Sequence, residues 1–143
     1  GSTGEPKGAV LTHDAVAAAA RAVTARIDEL AGDGYGWLAC LPLAHVGGLG
    51  VVTRAVVTGR PVSVLASFDA HVVEGTARSS RQPLAVALVT TALRRVDPAL
   101  FHWIVLGGSS PPPDLPANAS ATSLSVGARC STCRNKFATR AAA

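Results

Sequence analysis

The first eight residues, G-S-T-G-E-P-K-G, set three glycines, two hydroxyls and one lysine side by side. Gly1, Gly4 and Gly8 let backbone amides come close to an anion, Ser2 and Thr3 add hydroxyl donors, and Lys7 supplies a point charge. That is equipment for holding a polyphosphate. It is not a Walker loop, which needs G-x-x-x-x-G-K-[ST]: here Pro6 precedes Lys7 and Gly8 follows it. A solvated Gly/Pro turn has the same composition. The order of the residues, and the scaffold around them, must decide between the two.

Three further groups could carry chemistry. His45 follows Leu41-Pro42-Leu43-Ala44 and precedes a Gly47-Gly48 pair. Gly107, Gly108 and Ser109 stand directly after an apolar run, where absent side chains would let a flat ring reach the backbone; a plain strand-to-loop break is the alternative. Cys130 and Cys133 have C-x-x-C spacing, but a structural zinc site takes four ligands and no second pair exists, so no metal ligands are assigned. Cys40 is isolated, and three cysteines give no disulfide framework. Arg54 and Arg60 read as surface or helix-end charges, and Asp69 as a helix cap.

These groups need elements to hold them, and the apolar pattern supplies them. Val16, Ala20, Val23, Ile27 and Leu30 recur at helical spacing, with Arg21, Thr24, Asp28 and Glu29 on the other side. This predicts an amphipathic helix over about 14–30, capped by Thr12 or Asp14 and closed by the A-G-D-G-Y-G stretch. Strands are expected over about 37–41, 61–65, 84–89 and 102–106. Between them lie G-L-G-V-V-T-R-A-V-V-T-G, apolar nearly all round as a helix covered on both sides would be, a weaker helix over about 69–79 interrupted by Gly75, and a short T-A-L-R-R-V helix ended by Pro98. Strands without polar alternation, separated by helices, argue for an α/β fold: a mostly parallel sheet flanked by helices.

Charge and composition narrow the classes. Hydrophobic residues make up 48% of the chain and charged ones 15%, enough for a core. The net charge is +4, but the thirteen Lys and Arg residues are scattered without a basic stripe or stacking platform, which argues against nucleic acid as a partner. No apolar run reaches the roughly 18 residues of a membrane span and nothing looks like a signal peptide, so the cytoplasm is the expected location.

The ordered match G-S-T-G-x-P-K-G, followed by Thr12-His13, resembles the phosphate loop of the adenylate-forming (AMP-binding) ligase superfamily. The segment L-P-L-A-H-V-G-G-L over 41–49 resembles the L-P-L-x-H-x-x-G-L of its acyl-CoA and aryl-CoA synthetases. V-L-G-G-S-S-P-P-P-D-L over 105–115 is similar to their V-L-x-G-G-A-P-L-x segment. All three occur in the family's order. Within the family the wording of residues 41–62 is most similar to the o-succinylbenzoate–CoA ligase branch of menaquinone biosynthesis.

The resemblance implies a two-step reaction. A small-molecule carboxylate attacks the α-phosphate of ATP, giving an acyl-adenylate and pyrophosphate; the thiol of coenzyme A then displaces AMP to form a thioester. ATP, Mg2+ and coenzyme A are the implied cofactor and co-substrates. Ser2, Thr3, Gly4 and Lys7, with the backbone at Gly1 and Gly8, would hold phosphates. Gly107, Gly108 and Ser109 would line the adenine and acyl-adenylate site. His45 and Gly47 would stand at the mouth of the acyl pocket. No residue of this chain is assigned to catalysis.

The family continues with a Tyr-Gly-x-Thr-Glu segment after its second glycine motif, and this sequence does not. The expectation is therefore a partial AMP-binding domain over 1–118, a fragment of the large N-terminal domain of such an enzyme, poorly soluble and without ligase turnover by itself. A non-catalytic α/β nucleotide-binding or interaction fragment, a degenerate gene product, is the competing reading. Residues 119–143 lose the apolar periods and are expected to be an aberrant or disordered tail, of the kind a shifted reading frame produces, with a divergent extension as its rival.

Overall fold

The structure, a computed structural model, describes residues 8–108, 114 and 116–121. The elements alternate along the chain: α1 (His13–Ala31), β1 (Gly36–Ala39), α2 (Val46–Thr58), β2 (Val62–Val64), α3 (Ala70–Ser79), β3 (Leu84–Val89), α4 (Thr90–Leu93), a 3-10 turn (Pro98–Leu100), β4 (Trp103–Gly107) and β5 (Ala119–Ala121). The five strands form one sheet in the order β2-β1-β3-β4-β5, and every pairing is parallel. The expected α/β class and the four expected strands are present.

Alternation along each strand divides the core into two layers. Leu38, Leu84, Val86, Leu88, Ile104 and Leu106 point to one face, where Val73 of α3 and Ala92 and Leu93 of α4 cover them. Trp37, Ala39, Ala85, Ala87, Trp103 and Val105 point to the other, under Ile27 of α1 and Val51 and Ala55 of α2. Register makes a row Trp37–Ala85–Trp103 across three strands, so two indoles flank a methyl group and the layer fills without collision. Connection direction explains the division. The step from β1 to β2 goes one way along the sheet and the steps to β3 and β4 go the other. With one preferred crossover hand, helices of opposite steps must lie on opposite faces.

Local chemistry fixes the helix ends. Thr12 caps α1, its hydroxyl accepting from Ala15 N at 3.2 Å, and Asp69 caps α3, its carboxylate accepting from Val72 N at 3.1 Å. Gly59 closes α2 in the left-handed region at φ 67°.

Several expectations need correction. Gly75 does not interrupt α3, which runs through it. Pro98 does not end α4, which stops at Leu93; it opens the 3-10 turn instead, where its fixed φ and missing N–H cost nothing. Helix α2 is covered on one face only: Val51 and Ala55 are buried, whereas Leu49 is 55% and Val56 73% exposed. In α1, Thr24 is buried although it belongs to the polar side of the pattern, and Leu30 is exposed although it belongs to the apolar side. Residues 119–121, which the sequence reading places in the tail, form β5. Its entry is clamped by Asn118, whose Nδ2 donates to Pro98 O at 2.9 Å and Phe101 O at 2.7 Å. Among the described residues no helix is long and apolar enough to cross a membrane.

Candidate functional site

In an open parallel sheet, ligands bind beyond the carboxyl ends of the strands, where neighbouring connections diverge. Here that point lies between β1, whose chain leaves toward β2, and β3, whose chain leaves toward β4. His45 and Gly47 follow β1, and Gly107 and Gly108 end β4. Only β3 separates those two strands, so their ends stand roughly 10 Å apart. Helix α1 brings a third segment to the same edge. Its last turn is tied to the amino edge by the Asp28–Arg60 ion pair, and its 19 residues run back about 28 Å toward the carboxyl edge. Gly8, exposed, precedes its first turn. Gly1, Ser2, Thr3, Gly4, Lys7 and Ser109 lie outside the described residues.

The β1–α2 turn is held by backbone. His45 N donates to Pro42 O at 3.0 Å, and His45 O accepts from Gly48 N and Leu49 N, each at 3.0 Å. The imidazole is exposed and makes no cap hydrogen bond, so it is available at the mouth of this edge. The glycine that the geometry of this turn demands is Gly48. A Cβ on Gly48 would lie 2.5 Å from Leu41 O and 2.7 Å from Pro42 C, inside backbone that cannot yield. One on Gly47 would meet only the end of the Leu41 side chain, at 3.2 Å.

At β4, Gly108 sits at φ 88°, the left-handed region that favours glycine, and a Cβ there would touch Val89 Cγ1 at 3.5 Å. A Cβ on Gly107 would meet nothing within 4 Å. Strand break and open backbone surface coincide here. A shallow pocket of about 160 Å³ is lined by Leu41, Phe68, Val89, Thr91, Ala92 and Arg95, and by none of His45, Gly47, Gly107 and Gly108. A larger one of about 260 Å³, lined by residues that include Pro98 and Pro116, opens at the amino edge, away from these glycines. Magnesium is different. Asp69, the carboxylate just after β2, is committed to capping α3, and among the described residues no group of three His, Cys, Asp or Glu converges. The described residues do not form a site for the ion, and no step is assigned to it.

The two arginines read from the sequence as surface or helix-end charges both pack on aromatic rings, and Arg60 does stand at a helix end, directly after the α2 cap Gly59. Arg60 Nη2 donates to Asp28 Oδ1 and Oδ2, each at 2.8 Å, its guanidinium lies 4.1 Å over the Tyr35 ring, and Nη1 donates to Asp33 O. Arg54 lies 4.7 Å over the Trp37 ring. Burial pulls its pKa down to about 10, against the opposing influence of Tyr35, so it remains a cation at neutral pH. Nothing in the linear pattern separates these two arginines from solvated ones. Each stacks on an aromatic ring that only the fold brings beside it.

Cys40, at the end of β1, is a free buried thiol. Burial pushes it from 9.0 up to about 11. The folded chain thus favours the neutral thiol: this contribution is whole below pH 9 and is lost as pH rises through 11. Urea unfolding at pH 8 and pH 11 should show an alkaline loss about 2 kcal/mol smaller in Cys40→Val than in the parent chain. Equal losses in the two proteins would refute this.

The profile of an AMP-binding enzyme matches residues 1–134. The chain is 36% identical over 134 residues to a probable 2-succinylbenzoate–CoA ligase of Mycobacterium tuberculosis, covering 85% of this chain and 34% of that protein. With the 2-succinylbenzoate–CoA ligase of Bacillus anthracis it shares 31% identity over 123 residues, 80% of this chain and 25% of that protein. Among solved structures, the O-succinylbenzoate coenzyme A synthetase (MenE) of Bacillus subtilis in complex with AMP aligns with a TM-score of 0.64 and 27% identity, over 79% of this chain and 30% of that one. The chain therefore spans a quarter to a third of the length of these relatives. The match runs through β5 and past residue 118, and with the parallel sheet and the glycine segments on its carboxyl edge it places this chain in the AMP-binding enzyme family.

Proposed function

We propose that this chain is a segment of the adenylate-forming domain of an ATP-dependent acyl- or aryl-CoA ligase acting on a 2-succinylbenzoate-like acid, and that its part is to position ligands. The observation that carries the reading is the convergence on one sheet edge of the chain after β1, the chain after β4 and the start of α1. A carboxylate attacking an α-phosphate needs the two reactants aligned and the departing charge stabilised, and backbone and side chains at such an edge can do both.

In this reading Lys7, with the amides and hydroxyls of Gly1, Ser2, Thr3, Gly4 and Gly8, binds the β- and γ-phosphates. Gly107, Gly108 and Ser109 face the adenine and the acyl-adenylate, and His45 and Gly47 border the acyl group. An acid named succinylbenzoate has two carboxylates. One becomes the thioester and the other keeps its charge. Arg54 suits that remaining charge, because it is a desolvated cation whose Nε has no hydrogen-bond partner and which forms no ion pair among the described residues.

The 143-residue polypeptide is expected to bind ATP weakly and to form no thioester by itself. Calorimetry with ATP tests the phosphate assignment. One charge-assisted contact is worth about 1.5–3 kcal/mol, so Lys7→Ala should lower affinity at least tenfold. Equal heats from the parent chain and Lys7→Ala would remove the loop from the site.

A further inference from the structure

Three residues at the amino edge of the sheet form one stack. The Arg60 guanidinium lies 4.1 Å over the Tyr35 ring, and the His102 imidazole is stacked on the same ring at 5.0 Å, with 23° between the planes. Each of the three stands within two residues of the start of a strand: Tyr35 before β1, Arg60 before β2 and His102 before β4. The end of α1 is tied into the same group. Asp28 accepts twice from Arg60, and His102 Nε2 lies 3.4 Å from the carbonyl oxygen of Gly32, the C-cap of that helix. Among the described residues the other end of α1 has no such hold. Residues 8–15 are all exposed and the first buried residue of the helix is Ala20, so the sheet grips α1 only from there to its end.

We propose that Tyr35, Arg60 and His102 are positioning residues that set the distance between the two parts of a nucleotide site: the segment that leads into α1 and the glycine turn that ends β4. This deepens the ligase reading above and rests on its assignment of the phosphates to residues 1–8 and of the adenine to residues 107–109. The stack fixes α1 relative to β4 at one edge, and both run from there to the other, about 28 Å along α1 and roughly 17 Å along the five residues of β4. A long arm magnifies an error at its pivot. A tilt of about 2° displaces the start of α1 by about 1 Å, and a misplacement of ~1 Å caused far from the chemistry can cost about a hundredfold in rate. Tilting opens stacked planes and forfeits their contact, so the stack resists the motion that matters. The ring alone is needed, since the buried Tyr35 hydroxyl makes no hydrogen bond.

The test uses the 143-residue chain and its Tyr35→Phe, Tyr35→Leu and His102→Ala variants, with Lys7→Ala as the control for the phosphate loop. Calorimetry measures ATP, which reaches both segments, and inorganic tripolyphosphate, which reaches the phosphate loop only. Nitrogen-edited NMR follows the backbone amides of Gly8, Thr12 and Gly108, and circular dichroism verifies that each variant is folded. His102 is only half-buried, so its truncation leaves the core intact even where Tyr35→Leu fails to fold. The expected result is that Tyr35→Leu and His102→Ala bind ATP at least about fivefold more weakly than the parent chain, keep its tripolyphosphate affinity within about twofold, and shift the Gly8 and Thr12 amide signals at the far end of α1. Tyr35→Phe should match the parent in all three measurements. A folded His102→Ala chain that keeps the parent's ATP affinity overturns the pivot, as does a Tyr35→Phe chain as weak as Tyr35→Leu. So does equal weakening of ATP and tripolyphosphate, which marks a damaged loop and not a changed distance. These outcomes leave the ligase reading standing. A parent chain whose ATP binding does not depend on Lys7 overturns the phosphate assignment and the pivot with it.

Discussion

Gly48→Ala should destabilise the chain by about 3 kcal/mol, at the upper end of what overpacking costs. The added Cβ would stand 2.5 Å from Leu41 O and 2.7 Å from Pro42 C, and both atoms belong to backbone rather than to the tip of a flexible side chain. The first turn of α2 must therefore move off the β1 turn, breaking the hydrogen bonds that His45 O accepts from Gly48 N and Leu49 N. Better helix propensity at position 48 returns about 1 kcal/mol, which is included in the net figure. Gly47→Ala is the control: its Cβ meets only Leu41 Cδ1, at 3.2 Å, and a small side-chain rotation relieves it, so the cost should stay below about 1 kcal/mol. Urea unfolding with an unchanged dependence on denaturant measures both. Should Gly48→Ala prove as stable as Gly47→Ala, the close approach of α2 to the β1 turn is wrong, and with it the placing of His45.

Asp28→Ala should cost about 2–3 kcal/mol. The Arg60 side chain is only 13% exposed, and without Asp28 its charge keeps the Tyr35 ring and the carbonyl oxygens of Asp33 and Tyr35 but no counter-ion. Breaking a fully buried pair from one side costs about 3–5 kcal/mol, and the 31% exposure of Asp28 lowers that because water reaches the site. The double variant Asp28→Ala/Arg60→Met should be more stable than Asp28→Ala alone, since removing the second charge removes the uncompensated desolvation. If the double variant is the less stable of the two, the pair is held by packing of the arginine stem and not by its charge. The consequence reaches function, because this pair anchors the last turn of α1 and so sets where the helix delivers Gly8 at the opposite edge.

Much of the site's address was legible in the linear order. A short continuous apolar run such as L-A-V-A-L-V, bounded by Pro83 and a polar T-T pair, reads as a strand buried on both faces, and such strands favour parallel pairing with helices above and below. Thr12 and Asp69 announce helix starts because a short polar side chain can reach an amide two or three residues on, a purely local matter. The segments around His45 and Gly107 carry their own signature of order and glycine content. What the sequence could not show is which faces are covered. The all-round apolar α2 has one bare face, and Thr24 is buried on the side that periodicity assigns to solvent.

The arginines make the same point more sharply. Arg54 and Arg60 are six residues apart on one segment, with no neighbour in sequence to distinguish them. Strand order brings Trp37 under the first, and the return of α1 brings Asp28 to the second, 32 residues away. Hydrogen-bond caps, turn conformations and strand propensities act within a few residues, and these the sequence determined by itself. Partners of charges, the glycine that must be bare, and the edge where separate loops meet depend on contacts between distant residues. Only the tertiary structure could decide them, because a charge or a Cβ is stabilised or excluded by what occupies the space beside it and not by its neighbours in the chain.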